Sequence, residues 1–206
     1  LSLRRQRQMC IRDRFRTIEE KLCSGTDCET MSVEETRWGP VVDTDAQGRK
    51  LAFRWVAHDP GAVSIAGFLA MERAGSVAEA VDVAHHMGMP NQNLVVADAK
   101  GAIGWTVTGL VPRRFGAAGP LPASWADGSS GWDGWRAPAE IPALLGRHRI
   151  WTANQRIVGG DALATLGDGG YAHGARAAQI RDALQAANRF AEADLLEIQF
   201  DDRGLV

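Results

Sequence analysis

The sequence lacks most of the devices that hold a small protein together from outside. Three cysteines in 206 residues are too few for a disulfide framework. Cys23 and Cys28 flank a Gly-containing loop (CSGTDC), but the five histidines are scattered at 58, 85, 86, 148 and 173 and complete no zinc site with them. The pair reads as two loop thiols or as one small hairpin disulfide. No apolar run reaches the roughly 18 residues that a bilayer-spanning helix needs. No Gly-rich phosphate loop occurs either: the GlyGly pairs at 159–160 and 169–170 lack the GxGxxG or GxxxxGK context. With a net charge of −2 there is no global field to gather nucleic acid. Internal repeats are absent.

What is present is an ordinary globular composition, 45% hydrophobic and 23% charged. A domain of this length buries roughly 70% of its unfolded surface and can hold its own core. The charge is uneven. Residues 1–17 carry six arginines (4, 5, 7, 12, 14 and 16) against Asp13, while the rest of the chain is acidic. This arm has neither the apolar centre nor the cleavage site of a secretory signal. It is set apart from residues 18–206 as a disordered basic arm or as foreign text, the string RRQRQMCIRDR resembling translated sequencing adapter.

From Thr30 the pattern predicts strands. SVEETRWGPVVDTD enters a Gly-Pro bend, and VVDTD pairs across the turn AQGRK with LAFRW, where Leu51, Phe53 and Trp55 alternate. Ser76 with Glu79 predicts a capping box that opens a helix to about Met87. Val77, Ala80, Val81 and Ala84 form its apolar face, Gly88 closes it, and His85 and His86 lie at a solvated end. NLVVAD (93–98) and AIGWTVTGLV (102–111) predict a hairpin apolar on both faces, as strands between two layers are. Residues 112–147 read as a long irregular segment in which Trp125, Trp132 and Trp135 pack; a functional role or a wrap over a neighbouring surface is the alternative. RIWTAN (149–154) reads as a short strand and is followed by a Gly/Asp loop. An amphipathic helix over about 175–188 and a last helical segment, AEADLLEIQ, complete an α+β string.

In this order the blocks TRWGPVVDTDAQGRKLAFRW, GFLAMERAGSVAEAVD, PNQNLVVADAKGAIGWTVTGLVPRR, GWDGW, WTANQRIV and YAHGARAAQIRDAL resemble the penicillin acylase (penicillin amidase) family of N-terminal-nucleophile hydrolases. They cover nearly all of residues 30–202. The resemblance implies a partial αββα sandwich made of antiparallel hairpins and helices. It also implies cleavage of the amide bond of an N-acyl substrate, of the β-lactam side-chain or acyl-homoserine lactone type. The nucleophile would be a serine exposed by autoproteolysis, its own α-amine acting as base. That serine would lie upstream, so the chain is expected to be an inactive internal slice of the large subunit. The family's side-chain oxyanion donor falls on Asn154, and a site-orienting arginine 22 residues on falls on Arg176. Taken from the residues alone, an amide at this place more often closes a loop than serves a site.

Two positions depart from the family pattern: Trp38 stands where relatives carry His before Gly-Pro, and Gln155 stands where they carry Asn. The chemistry implied needs no cofactor. Structural calcium is allowed by the resemblance, with most ligands outside these residues, and no metal ligand is assigned. The expected partners are a small-molecule N-acyl amide and the small subunit of the same precursor, with no nucleic acid and no membrane. Export to the periplasm, which would permit a Cys23–Cys28 bridge, follows from the resemblance alone. The rival reading is a non-catalytic β-rich ligand-binding module or a degenerate paralogue.

Overall fold

The computed structural model describes residues 15–117, 119, 121–146, 148–167 and 170–204, in two compact units. Most of the basic arm, residues 1–14, lies outside the described residues.

The first unit comprises residues up to 60 together with 115–131. Its sheet is a meander of β1 (Arg16–Ser24), β2 (Asp27–Thr36), β3 (Gly39–Thr44) and β4 (Lys50–Ala52). The first hairpin begins well before Thr30, and Arg16 and Thr17, which the sequence assigned to the arm, stand in β1. Gly25 and Thr26 form its loop, and Gly25 has φ +63°. Glycine first in a two-residue loop gives a turn whose twist matches the paired strands. In that register Cys23 lies directly opposite Cys28, and the two are joined by a disulfide.

The β3–β4 hairpin forms as the pattern indicated, with Val41 opposite Ala52 and a bulge before Asp43. Its turn is held by Asp45, whose Oδ1 accepts from the N–H groups of Gln47 and Arg49, each at 2.9 Å. The second arm is shorter than LAFRW. The Phe53 N–H still reaches Pro40 O at 2.8 Å, but the chain then turns through residues 56–58. The Phe53, Trp55 and His58 rings pack on one another at 5.6–6.1 Å instead of alternating across a sheet. Trp38 is a packing aromatic: it meets Trp125 edge-on at 6.4 Å and carries the Arg37 guanidinium over its face.

The second unit holds residues 61–114 and 132 onward. Helix α1 (Ala66–Met71) precedes α2 (Val77–His86), and both lead into the sheet β5 (Asn93–Ala97), β6 (Ile103–Val107) and β9 (Ala143–Leu145), with β6 central. The Ser76 hydroxyl caps α2 by accepting the Glu79 N–H at 3.2 Å. The Glu79 carboxylate reaches past the cap to the Gly75 N–H, at 2.7 Å. Val77, Ala80, Val81 and Ala84 are buried, as their spacing requires. Trp105, Val107, Val111 and Ile141 form the core, with Leu144, Ile150 and Leu166 against it.

Several expectations are corrected in this unit. β6 is buried on both faces, but β5 alternates between half-buried and exposed, and Val95 is 45% exposed. His85 is not a solvated helix end. It is buried, with Nε2 2.7 Å from Thr106 Oγ1, while His86 is exposed. The stretch 112–147 is not one irregular loop: it contains β9 and the two-stranded sheet of β7 (Pro112–Phe115) with β8 (Gly131–Trp135). The Gly/Asp loop contains helix α3 (Gly160–Leu166). α4 (Ala175–Gln185) and α5 (Glu192–Gln199) lie where their patterns placed them. RIWTAN forms no strand, because its backbone groups are engaged elsewhere, as described below.

Candidate functional site

The residues after Trp151 make a tight irregular corner. Gln155 Oε1 accepts the Ala153 N–H at 2.7 Å, so a side chain takes the partner that a strand ladder would have supplied. Asn154 has φ +65°, a left-handed conformation that asparagine tolerates better than most residues. Its carbonyl accepts the Ala172 N–H at 2.9 Å. The corner is thus held both from within, by Gln155, and from further along the chain, by Ala172, and the Asn154 side chain is exposed on it.

Arg176, in the first turn of α4, completes the arrangement. Its Nη2 donates to Ala153 O at 2.9 Å and to Asn154 Oδ1 at 3.0 Å. A guanidinium only donates, so the atom facing it must be the amide oxygen of Asn154. The Nδ2H2 end is therefore the free end, and it has no hydrogen-bond partner among the described residues. Asn154 and Arg176 line a cleft of about 330 Å³ together with Gln92, Asn93, Thr152 and Ile180. The sequence reading brought Asn154 and Arg176 together, and the fold places them in direct contact.

It missed Asn93 and Gln92, at the start of β5. Thr108 closes the end of the hairpin: its N–H donates to Gln92 O at 2.9 Å, and its Oγ1 accepts the Gln92 N–H at 3.1 Å. Asn93 Oδ1 accepts from Trp105 Nε1 at 2.8 Å, diagonally across the β5–β6 pair. The signal was available in principle: the AlaLysGly turn sets the register, and a buried indole needs an acceptor.

A second, smaller cleft of about 220 Å³ shares Ala153, Arg176 and Ile180 with the first and is bordered by Asp201. Arg203 grips both oxygens of Asp201 at 2.7 Å, holding that carboxyl far below the usual range. No group of three or more His, Cys, Asp or Glu side chains among the described residues could hold a metal ion. No described helix is long and apolar enough to cross a membrane.

The fold is recognisable among solved structures. A thermostable penicillin G acylase from Alcaligenes faecalis superposes with a TM-score of 0.60 over 89% of this chain and 34% of that one, at 22% identity. The arrangement of antiparallel sheets and helices is therefore a partial α+β sandwich of that type. Penicillin acylase 2 proenzyme of Pseudomonas sp. (strain SE83) is 33% identical over 183 residues. That match takes in 86% of this chain and 23% of the relative, so the chain spans about a quarter of its length. The sequence profile of the penicillin amidase family matches residues 6–206, starting inside the basic arm, and the chain belongs to that family.

Proposed function

We propose that this chain is part of a hydrolase that cleaves the amide bond of an N-acyl substrate, and that Asn154 is its side-chain oxyanion donor. The observation that carries the reading is the Arg176–Asn154 contact on the rim of a cleft. When a nucleophile attacks an acyl carbonyl, the C=O π electrons move onto oxygen, and donors aimed at that oxygen stabilise the transition state. Arg176 contributes twice. It fixes the amide so that Nδ2H2 faces the cleft, and its positive charge at the amide oxygen polarises the group into a better donor. Arg176 is thus a positioning residue and Asn154 the catalytic one.

The attacking serine hydroxyl, with its own α-amine as base, comes from another segment of the enzyme. The relative described as a proenzyme supports a processed precursor whose second subunit is the partner of this one. β-Lactam side chains and acyl-homoserine lactones are the substrate types proposed, and export is the setting that suits the Cys23–Cys28 disulfide. The test is Asn154→Ala in the enzyme that carries the nucleophile. Turnover should fall by about 10²–10³ with the fold retained. Near-normal turnover would remove Asn154 from the mechanism.

A further inference from the structure

The cleft contains a second amide held in the same way as Asn154. Asn93 Oδ1 accepts the indole N–H of Trp105 at 2.8 Å, and an indole nitrogen can only donate. As with Asn154, the partner fixes which end of the amide is oxygen, and the NH2 end is left over. Neither Nδ2 has a partner among the described residues, and both residues line the same cleft. The two anchors differ in kind. Trp105 is 2% exposed and belongs to the core, so Asn93 is tied to the core of this unit. The 92–93 backbone is fixed as well, by its exchange of hydrogen bonds with Thr108.

From this we infer that Asn93 is a second ligand-binding donor, and that the cleft takes molecules with two acceptor oxygens, one for each amide. One oxygen is the acyl carbonyl at Asn154, and the other is a carbonyl or carboxylate on the leaving-group side at Asn93. The inference rests on the reading of Asn154 as donor to the acyl oxygen and adds a specificity determinant to it. It favours N-acyl derivatives of amino acids, lactams or lactones over N-acyl alkylamines, which have only one such oxygen.

Asn93 also has a structural duty to Trp105, and the test must separate the two. Asn93→Asp keeps an acceptor for the indole and removes the amide donor; Asn93→Ala removes both. The probe is N-acetylglycinamide, neutral and with two carbonyls, titrated into the 206-residue chain while the side-chain NH2 resonances are followed by NMR; N-acetylmethylamine is the one-carbonyl control. Both Asn93 and Asn154 signals should move with N-acetylglycinamide, and only the Asn154 signal with the control. Asn93→Asp should keep its melting temperature and lose about tenfold in affinity for N-acetylglycinamide, with no loss for the control. Native affinity in Asn93→Asp, with Asn154 still responding, would reduce Asn93 to an acceptor for Trp105 and leave the proposed function standing. If neither amide responds to either probe, both readings fail.

Discussion

Arg176 reaches back 22 residues to donate to Asn154 Oδ1 at 3.0 Å, and the same nitrogen donates to the neighbouring Ala153 carbonyl at 2.9 Å. A single guanidinium nitrogen therefore fixes both a backbone corner and the side chain that projects from it.

Replacing that nitrogen should loosen the amide without unfolding the chain. Arg176 is exposed, so Arg176→Lys or Arg176→Ala should cost about 1 kcal/mol or less in stability. Turnover of the complete enzyme should fall by about 10–100-fold, the value of a hydrogen bond to a charged group. An ammonium is a point donor without the planar fork, so Lys should rescue only part of the loss. Equal turnover in native and Ala enzymes would show that Asn154 holds its place unaided.

The conformation of Asn154 makes a separate prediction, about stability. At φ +65° glycine is at ease and a β-branched residue is not. Asn154→Gly should stay within about 1 kcal/mol of the native chain, and Asn154→Val should lose about 1–3 kcal/mol, measured by urea unfolding. Gly should nevertheless be as inactive as Ala, because each lacks the donor. Equal stability of the Gly and Val variants would mean the corner relaxes out of the left-handed region.

Gly109 is a place where only glycine fits. It has φ +81°, its N–H bonds to Ala84 O at 2.8 Å, and an added Cβ would collide with the Met89 carbonyl oxygen. Both objections are to backbone, so no side-chain rotation relieves them. Gly109→Ala should destabilise by about 2–4 kcal/mol in denaturant unfolding. A cost below 1 kcal/mol would mean that the end of α2 moves freely away from the 108–111 segment.

His85 should make stability depend on pH. The Thr106 hydroxyl donates its proton to Pro142 O at 2.9 Å, so His85 Nε2–H is the donor in the 2.7 Å bond to Thr106. Burial lowers the pKa of this ring and the neighbouring His86 lowers it further, against the opposing pull of Asp82 and the Pro138 carbonyl. A histidine with a depressed folded pKa leaves the unfolded state binding more protons between the two values. Its contribution is complete above the unfolded pKa of about 6.5 and is lost as pH falls from there through the folded value. Melting temperature should therefore drop from pH 7 to pH 5, and His85→Gln, which keeps a donor to Thr106, should flatten that drop. An unchanged slope in the variant would assign the acid sensitivity to other groups.

What the sequence determined by itself was local or closely paired in register. Ser76 and Glu79 announced the start of α2 because a cap is a contact within one turn, and the β3–β4 and β5–β6 hairpins were legible because short turns set their pairing. Asn154 and Arg176 were named through resemblance to a family; their residue types alone favoured a loop-closing amide and an ordinary helix-surface arginine. RIWTAN misled because its composition suits a strand, while the partners that take its backbone, Arg176 and Ala172, lie some 20 residues further on. The burial of His85 and the place of Asn93 on the same cleft as Asn154 were decided only by tertiary structure. Each depends on bringing a helix or a loop against a strand far away in the chain, and hydrophobic periodicity records which face is buried but not which neighbour covers it.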